Sequence, residues 1–213
     1  MSQVVIIDFG LGNTMSVIRG IERVGLTASL SADHALIKQA DRVILPGVGA
    51  FAAGVQELKK EGLADAVVEF AQTGRPLLGI CLGMQMLLDV SHEFGEHQGL
   101  GLIPGQVVQI PQQLENADGI RKIPHIGWST VSPSSGREWQ GTLMSGNRSG
   151  DYFYFVHSYM AQTAAPQNQL ASCEYKGLEI TAAIQRNNVM GCQFHPEKSG
   201  PVGLKLLQRF VTL

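Results

Sequence analysis

The chain has 213 residues, of which 44% are hydrophobic, and this is enough to bury one sizeable core. Lys and Arg number 16 against 18 Asp and Glu, so the net charge of -2 argues against a nucleic-acid binder, and no apolar run approaches the length of a membrane span. Three cysteines cannot pair completely and none has metal-ligand spacing, which favours a cytoplasmic protein with free thiols and no metal site.

The first half of the chain alternates strand and helix patterns. The opening run, Gln3 to Asp8, is continuously apolar, as is typical of a strand buried on both faces. Further strands are predicted at Leu26 to Leu30, Asp41 to Leu45 and Pro76 to Ile80. Helices are predicted at Thr14 to Val24, within Phe51 to Thr73, and from Leu82 to about Val90. This rhythm predicts βαβ units and a parallel sheet.

The second half consists mostly of strand-like runs separated by Gly, Pro, Asn and Ser. They are Gly105 to Ile110, Trp128 to Ser132, Tyr152 to Met160, Gln169 to Tyr175, Leu178 to Gln185 and Asn188 to Phe194. With few helices between them, they predict a mixed or antiparallel extension of the same sheet. A final helix is predicted at Val202 to Val211, and no linker divides the chain. We therefore expect an α/β fold in which residues 1–213 form a single domain.

Cys81 lies between two glycines, directly after a predicted buried strand and directly before a predicted helix. This G-x-C-x-G sequence, Gly79 to Gly83, has the context of a nucleophile elbow with Cys in place of Ser. The turn strains the nucleophile, and neighbouring side chains would clash. The helix N-terminus favours the thiolate, which is the reactive form. The alternative is a buried structural cysteine, and the glycines and the strand–turn–helix context favour the nucleophile.

His195 is the best candidate for the base that a cysteine nucleophile needs. It follows the strand-like run Asn188 to Phe194, and Pro196 fixes a turn there. Glu197, two residues on, is placed to reach the other imidazole nitrogen and fix the tautomer. A lone His-x-Glu pair is weak evidence, since it is also found in surface loops. With the cysteine elbow it completes a Cys–His–Glu set.

A glycine-rich turn, PGVGAF, follows the strand Asp41 to Leu45. A turn at the carboxyl end of a parallel strand exposes N–H groups at the same sheet edge as the elbow. The N–H of Leu82 and one from Val48 or Gly49 are candidates for an oxyanion hole. An ordinary turn is the alternative, because Pro-Gly is common in turns.

These motifs together carry a family resemblance. GICLGMQ, the HPE triplet and the PGVG loop resemble the class I, triad-type glutamine amidotransferases, and the resemblance covers nearly the whole chain. IDFGLGN, PGVGAF, PHIGWS, YFVHSY and QFHPEKSG are similar to the glutaminase subunits of imidazole glycerol phosphate synthases, which belong to histidine biosynthesis.

The resemblance implies a reaction and a partner. Cys81 would attack the side-chain amide of L-glutamine, His195 would protonate the leaving ammonia and later activate water, and Glu197 would orient His195. The chain would form a heterodimer with a separate cyclase subunit, and ammonia would pass to that subunit. There it would react with a phosphoribulosyl-formimino carboxamide nucleotide (PRFAR) to give imidazole glycerol phosphate and an aminoimidazole carboxamide ribotide (AICAR). No cofactor is implied.

The resemblance also implies binding residues. Gln85, one helical turn after the nucleophile, is expected to hold substrate. His157, Ser158 and Tyr159 follow a predicted strand and are expected to line the substrate pocket. Each has a plain alternative, a solvated helix residue for Gln85 and a structural histidine for His157.

Three residues are expected to face the cyclase, namely Trp128, Tyr154 and Lys198. The alternatives are a core Trp, a core Tyr and a solvated Lys. Ser129 stands where the family pattern has Asn, which puts one polar contact near this interface in doubt.

Three other functions remain open at this point. The first alternative is a glutaminase subunit with the same chemistry that belongs to another pathway, namely anthranilate, aminodeoxychorismate, guanylate or pyridoxal phosphate synthesis. Several of those subunits carry His where this chain has Met84, and they lack PHIGW and HPEKS. A stand-alone cysteine hydrolase would need no partner. A non-catalytic binding module has no reason to keep Cys81, His195 and Glu197.

Overall fold

The computed structural model describes residues 3–60, 62–113 and 120–213. The helices in these ranges are α1 (Thr14–Arg23), α2 (His34–Gln39), α3 (Phe51–Lys60), α4 (Leu63–Gln72), α5 (Leu82–Met86) and α6 (Gly200–Val211). The strands are β1 (Val4–Ile7), β2 (Ala28–Ser31), β3 (Arg42–Leu45), β4 (Leu77–Ile80), β5 (Val90–Ser91), β6 (His97–Gln98), β7 (Gly105–Gln109), β8 (His125–Pro133), β9 (Asp151–His157), β10 (Tyr159–Thr163), β11 (Gln169–Tyr175), β12 (Leu178–Arg186) and β13 (Val189–Cys192).

Nine strands form one sheet in the order β2-β1-β3-β4-β13-β12-β11-β8-β9. The pairs from β2 to β13 are parallel and those from β13 to β9 are antiparallel. The predicted α/β class, with a mostly parallel half and a mixed extension, is confirmed. The change of direction occurs at β13, which therefore lies next to the strand that ends at the cysteine elbow.

Alternating residues of β1 pack into two cores, one on each face of the sheet. Val4 and Ile6 join the core formed with α1 and α6, whereas Val5 and Ile7 join the core formed with α2, α3 and α4. All four side chains are fully buried, as their continuous apolar run predicts. Helices therefore cover both faces of the parallel half, and the loops at its edge are left to form a site.

Two strand-like runs do not extend the large sheet. The run Gly105 to Ile110 and the end of the run Tyr152 to Met160 join a separate four-stranded sheet of order β10-β7-β5-β6. The second run is split because the chain leaves β9 at His157 and enters β10 at Tyr159. The expectation that all of these runs extend one sheet is wrong for this part of the chain.

The helix after Cys81 is shorter than predicted. It ends at Met86, and Val90 lies in β5 instead. The carbonyl of Met86 accepts the N–H of Leu100, and the carbonyl of Leu87 accepts the N–H groups of residues 102 and 103. Because the following loop takes these acceptors, the helix is not continued. Among the residues described here, no helix has the length and hydropathy needed to cross a bilayer.

Candidate active site

Cys81 occupies a strained turn between β4 and α5. Its backbone has φ 55° and ψ −110°, a region that costs a non-glycine residue free energy. The two flanking glycines are needed for space. A Cβ on Gly79 would lie 2.7 Å from the backbone of Gly83, and a Cβ on Gly83 would lie 1.8 Å from the carbonyl oxygen of Leu45. The expectation that side chains at the two glycine positions would clash in the turn is therefore confirmed.

His195 follows β13 at the sheet edge where Cys81 follows β4. The parallel pairing of these strands aligns Ile80 with Cys192, so the residues after each strand lie side by side. His195 Nδ1 is 2.7 Å from Glu197 Oε1, and both side chains are almost fully buried. Its Nε2 has no hydrogen-bond partner in the described structure. The imidazole is thus held by Glu197 at Nδ1, and Nε2 is the nitrogen left to interact with Cys81.

The pKa of His195 reflects opposing effects. Burial lowers it, but interactions with Cys81 and Glu197 outweigh burial and raise the pKa from 6.5 to about 9. The imidazole therefore carries a proton at neutral pH. A protonated imidazole beside a thiol is the arrangement that favours thiolate chemistry.

A cavity of about 300 Å³ opens beside Cys81. Its lining residues are Val48, Gly49, Cys81, Leu82, Gln85, Glu93, Pro124, Val156, His157, Ser158, Tyr159 and His195. All the residues that the sequence assigns to the nucleophile, the base, the oxyanion hole and the substrate pocket lie in this lining, while Glu197 lies behind His195. In the described part of the chain, His, Cys, Asp and Glu side chains form no group suited to a metal ion.

Glu93 in this lining was not expected from the sequence. Its Oε2 accepts the backbone N–H of Phe51 at 2.5 Å, so it caps the start of α3, directly after the PGVG loop. Glu93 also lines the cavity. No motif in the sequence points to this residue, because its position depends on the loop that follows β5.

The PGVG loop turns a carbonyl, rather than an N–H, toward the elbow. The N–H of Leu82 donates to the carbonyl oxygen of Gly47 at 3.3 Å. Gly49 has φ 103°, a value that side chains rarely adopt. A flip of the peptide between Gly47 and Val48 would free the Leu82 N–H and turn the Val48 N–H toward the cavity. The oxyanion donors predicted from the sequence are adjacent, but one of them is already bonded.

A chain of side-chain amides connects the substrate pocket to the sulfur. Gln85 Nε2 lies 3.1 Å from the carbonyl oxygen of Tyr159 and 2.9 Å from Oε1 of Gln193. Gln193 Nε2 lies 3.7 Å from Cys81 Sγ. Both N–H groups of Gln85 are used in these contacts, so its amide oxygen is what it can offer to a ligand. Gln193 is fully buried and was not singled out in the sequence.

His157 belongs to a buried histidine pair. Its Nδ1 is 2.8 Å from the carbonyl oxygen of Tyr159, and its Nε2 is 3.0 Å from Nδ1 of His125. Nε2 of His125 is 2.9 Å from the Ser129 hydroxyl. Burial lowers the pKa of His125 to about 4, and burial together with nearby positive charge lowers that of His157 to about 3. Both rings are therefore neutral. Ser129, on the inner face of β8, is the hydrogen-bond partner of the outer ring, His125.

An aromatic surface lies on the outer face of β8 and β9, at the end of the large sheet. Trp128 pairs with Tyr154 across these strands, and their rings are 5.9 Å apart. Trp128 is 54% exposed, and Ile126 and Tyr152 on the same face are each 58% exposed. Lys198 is exposed in the turn after Glu197. Ile126 and Tyr152 were missed, although strand alternation places them beside the predicted residues.

Comparisons with known proteins give a consistent result. The chain matches the glutamine amidotransferase class-I family over residues 5–213. It is 46% identical, over the full length of both chains, to imidazole glycerol phosphate synthase subunit HisH 1 of Legionella pneumophila (strain Lens). It is 47% identical to the HisH subunit of Lacticaseibacillus casei, with 97% of this chain and 94% of that one covered.

Solved structures agree on the fold. The structure of PurLQS from Thermotoga maritima superposes with a TM-score of 0.71, covering 99% of this chain and 97% of that one at 20% identity. At this identity the likeness concerns the fold alone.

Proposed function

This chain belongs to the glutamine amidotransferase class-I family, and we propose that it is the glutaminase subunit of an imidazole glycerol phosphate synthase. The observation that carries the proposal is the end-to-end likeness, at 46% identity, to a relative of that name. The Cys81 elbow beside the His195–Glu197 pair supports the chemistry. Free cysteines support a cytoplasmic setting.

We propose that Cys81 attacks the side-chain amide carbon of L-glutamine as the thiolate. The tetrahedral intermediate would collapse when the protonated Nε2 of His195 gives its proton to the departing nitrogen, so that ammonia leaves and a γ-glutamyl thioester remains. The unpartnered Nε2 and the raised pKa of His195 support this role.

The second half of the reaction would use the same pair in reverse. Neutral His195 takes a proton from water, the hydroxide attacks the thioester, and glutamate leaves as the thiolate re-forms. Glu197 would hold the imidazole at Nδ1 throughout, and the 2.7 Å contact supports this.

The cavity supports a small polar substrate. The oxygen of Gln85 and the carboxylate of Glu93 are acceptors suited to an α-ammonium group. Ser158 and Tyr159 line the same cavity, and His157 donates a hydrogen bond to the Tyr159 carbonyl oxygen.

We propose that the aromatic surface on β8 and β9, with Lys198 beside it, receives the cyclase subunit. Exposed aromatic residues surrounded by polar ones are typical of protein interfaces. Lys198 directly follows Glu197 in the chain, so this surface adjoins the base. The relatives are named as synthase subunits, which supports a partner.

We also propose that the chain forms one domain. The family match runs from residue 5 to residue 213, and the cavity takes His157 from the large sheet and Tyr159 from the small one. The bond from Gln85 to Tyr159 joins the elbow helix to the small sheet.

The test is glutamate release from glutamine, by the chain alone and with a candidate cyclase and its nucleotide substrate. We expect a large increase only in the full mixture, together with imidazole glycerol phosphate. Strong activity in the chain alone, unchanged by the cyclase, would instead indicate a stand-alone hydrolase. An increase that requires a different synthase partner would move the chain to another pathway.

A further inference from the structure

Gln193 lies between the substrate-side amide of Gln85 and the reacting sulfur. It follows β13 and is completely buried, and its backbone N–H donates to the carbonyl of Ala182 at 2.9 Å. Its side chain makes two contacts, from Gln85 Nε2 at 2.9 Å and to Cys81 Sγ at 3.7 Å. A buried carboxamide with both ends occupied by site residues has a fixed position.

Which end of the Gln193 carboxamide faces the sulfur is determined by a backbone carbonyl that can only accept hydrogen bonds. The carbonyl oxygen of Tyr159 is only an acceptor, so the nitrogen of Gln85 must face it. The same nitrogen then faces Gln193, which must present its oxygen. The nitrogen of Gln193 is consequently the end that faces the sulfur.

His157 strengthens the anchor. Its Nδ1 donates a second hydrogen bond to the Tyr159 carbonyl at 2.8 Å. A carbonyl that accepts two donors is held in place. The aligned bonds from Gln85 to Gln193 and from Gln193 to the sulfur strengthen each other in a buried site. Four groups in series therefore direct one N–H bond at Cys81.

We propose that Gln193 orients the Cys81 side chain and stabilises its thiolate by donating a hydrogen bond to the sulfur. The inference rests on the proposed function in taking Cys81 as the nucleophile. A donor to the charged form of a group favours that form, and this effect is largest where water is excluded. Gln85, by the same geometry, acts on the sulfur through Gln193 as well as lining the substrate cavity.

Other ionisable groups surround the sulfur and remain unchanged when Gln193 is replaced. They are His195 with Glu197 behind it, the buried Cys192 on β13, and Glu93, His157 and Tyr159 in the cavity lining. A difference in the pH dependence of Cys81 reactivity between wild type and a Gln193 variant can therefore be attributed to the Gln193 amide.

The experiment measures alkylation of Cys81 by iodoacetamide from about pH 5 to about pH 10 in the full chain, since the thiolate is the reactive form. The other thiols do not interfere. Burial raises the pKa of Cys173 to about 12 and that of Cys192 well above its usual value. Cys81→Ala gives the background rate.

We expect Gln193→Met to move the midpoint of the alkylation profile upward by about one pH unit, so that the rate below the midpoint falls about tenfold. Gln193→Glu places an acceptor at the sulfur and should move the midpoint further. Gln185→Met is the matched control on the neighbouring strand β12. It removes the Oε1 that accepts the backbone N–H of Leu143, and it should leave the profile unchanged.

An unshifted midpoint in folded Gln193→Met overturns the inference. If that variant does not fold, the same alkylation profile is measured for Gln85→Leu, which removes the side-chain amide that orients Gln193. A smaller upward shift is then expected, and an unchanged profile overturns the inference. The proposed function has its own outcome. Wild type that releases no glutamate with the cyclase refutes that function but leaves the alkylation result standing.

Discussion

The carbonyl oxygen of Tyr154 accepts the backbone N–H of His195 at 2.9 Å. The N–H of Tyr154 in turn bonds to the hydroxyl of Ser199, which donates to the carbonyl of His195. The Tyr154 ring meanwhile lies against the exposed Trp128. One residue of β9 thus connects the aromatic surface to the backbone of the candidate base. A partner that displaces this strand would also displace His195.

The aromatic surface gives the first prediction. Trp128→Ala should weaken binding of the cyclase about tenfold or more, because truncating a central interface aromatic removes much of the binding energy. Calorimetric titration measures the change. The control is Leu36→Ala, an exposed apolar residue on α2. Equal losses in the two variants would contradict a docking site on β8 and β9.

The elbow gives the second prediction. Cys81→Ala should lower glutamine-dependent synthesis by about 10⁴-fold or more, since the proposed nucleophile is lost. Synthesis from added ammonium should persist, because the cyclase performs its own chemistry. Product formation from each nitrogen source is the measurement. Glutamine-driven turnover that survives in Cys81→Ala would remove Cys81 as the nucleophile.

The third prediction concerns stability and pH. The pKa of His195 is about 9 in the folded chain and 6.5 as a free side chain. Because the folded value is higher, the folded state binds this proton more tightly. This stabilisation is complete below about pH 6.5 and is lost as the pH rises through about 9.

Glu197→Gln tests the effect, because the neutral amide stabilises the imidazolium less. Thermal unfolding should show a smaller fall in Tm between about pH 6.5 and about pH 9 in the variant than in wild type. Identical slopes would show that the His195–Glu197 contact does not stabilise the protonated ring.

Gly83 gives the fourth prediction. Gly83→Ala should lower the free energy of unfolding by about 3 kcal/mol or more, because its Cβ would overlap the carbonyl oxygen of Leu45. Gly177→Ala is the control, with open space but φ 79°, and should cost about 1 kcal/mol. Denaturant titration measures both. A Gly83 variant as stable as the control would mean that the elbow tolerates a shift away from β3.

The PGVG loop gives the fifth prediction. The isolated chain should turn over slowly, because the Leu82 N–H is bonded to Gly47 rather than free for an oxyanion. Cyclase and nucleotide should raise kcat about 10²-fold or more with little change in KM, as expected when oxyanion donors are gained.

Gly49→Ala tests the loop directly. Its φ of 103° belongs to the conformation in which Leu82 is bonded to Gly47, and it disfavours any side chain. The variant should destabilise that conformation and show a smaller increase in kcat from the isolated chain to the mixture, while still binding the cyclase. A variant that keeps the whole increase would show that the loop does not need this conformation.

The parts of the site that the sequence predicts are those defined by local sterics. Glycines around Cys81 and a proline after His195 specify turns whatever lies around them. The amide chain through Gln193 could not be predicted, because it joins residues 112 positions apart and depends on the register of β4 and β13. The bond between Leu82 and Gly47 likewise depends on how two loops meet.

The fold shows the same division. The continuous apolar run of β1 predicts a buried central strand. No sequence pattern predicted α2, a six-residue helix at whose start the Asp33 side chain accepts the backbone N–H groups of Ala35 and Leu36. Too short for a clear hydrophobic period, it depends on its cap and on packing. The second sheet was missed because alternation along a strand does not specify its neighbour.

The pairing of β4 with β13 also bears on when the chain acquires its chemistry. Ribosomes complete the cysteine elbow long before they reach the strand that pairs beside it, because Cys81 and Gln193 are 112 residues apart in sequence. Such distant pairing is slow to form and has a high contact order. A nascent chain therefore carries Cys81 without the His195 imidazole until the ribosome has passed β13, and hydrolysis of glutamine cannot begin before that point.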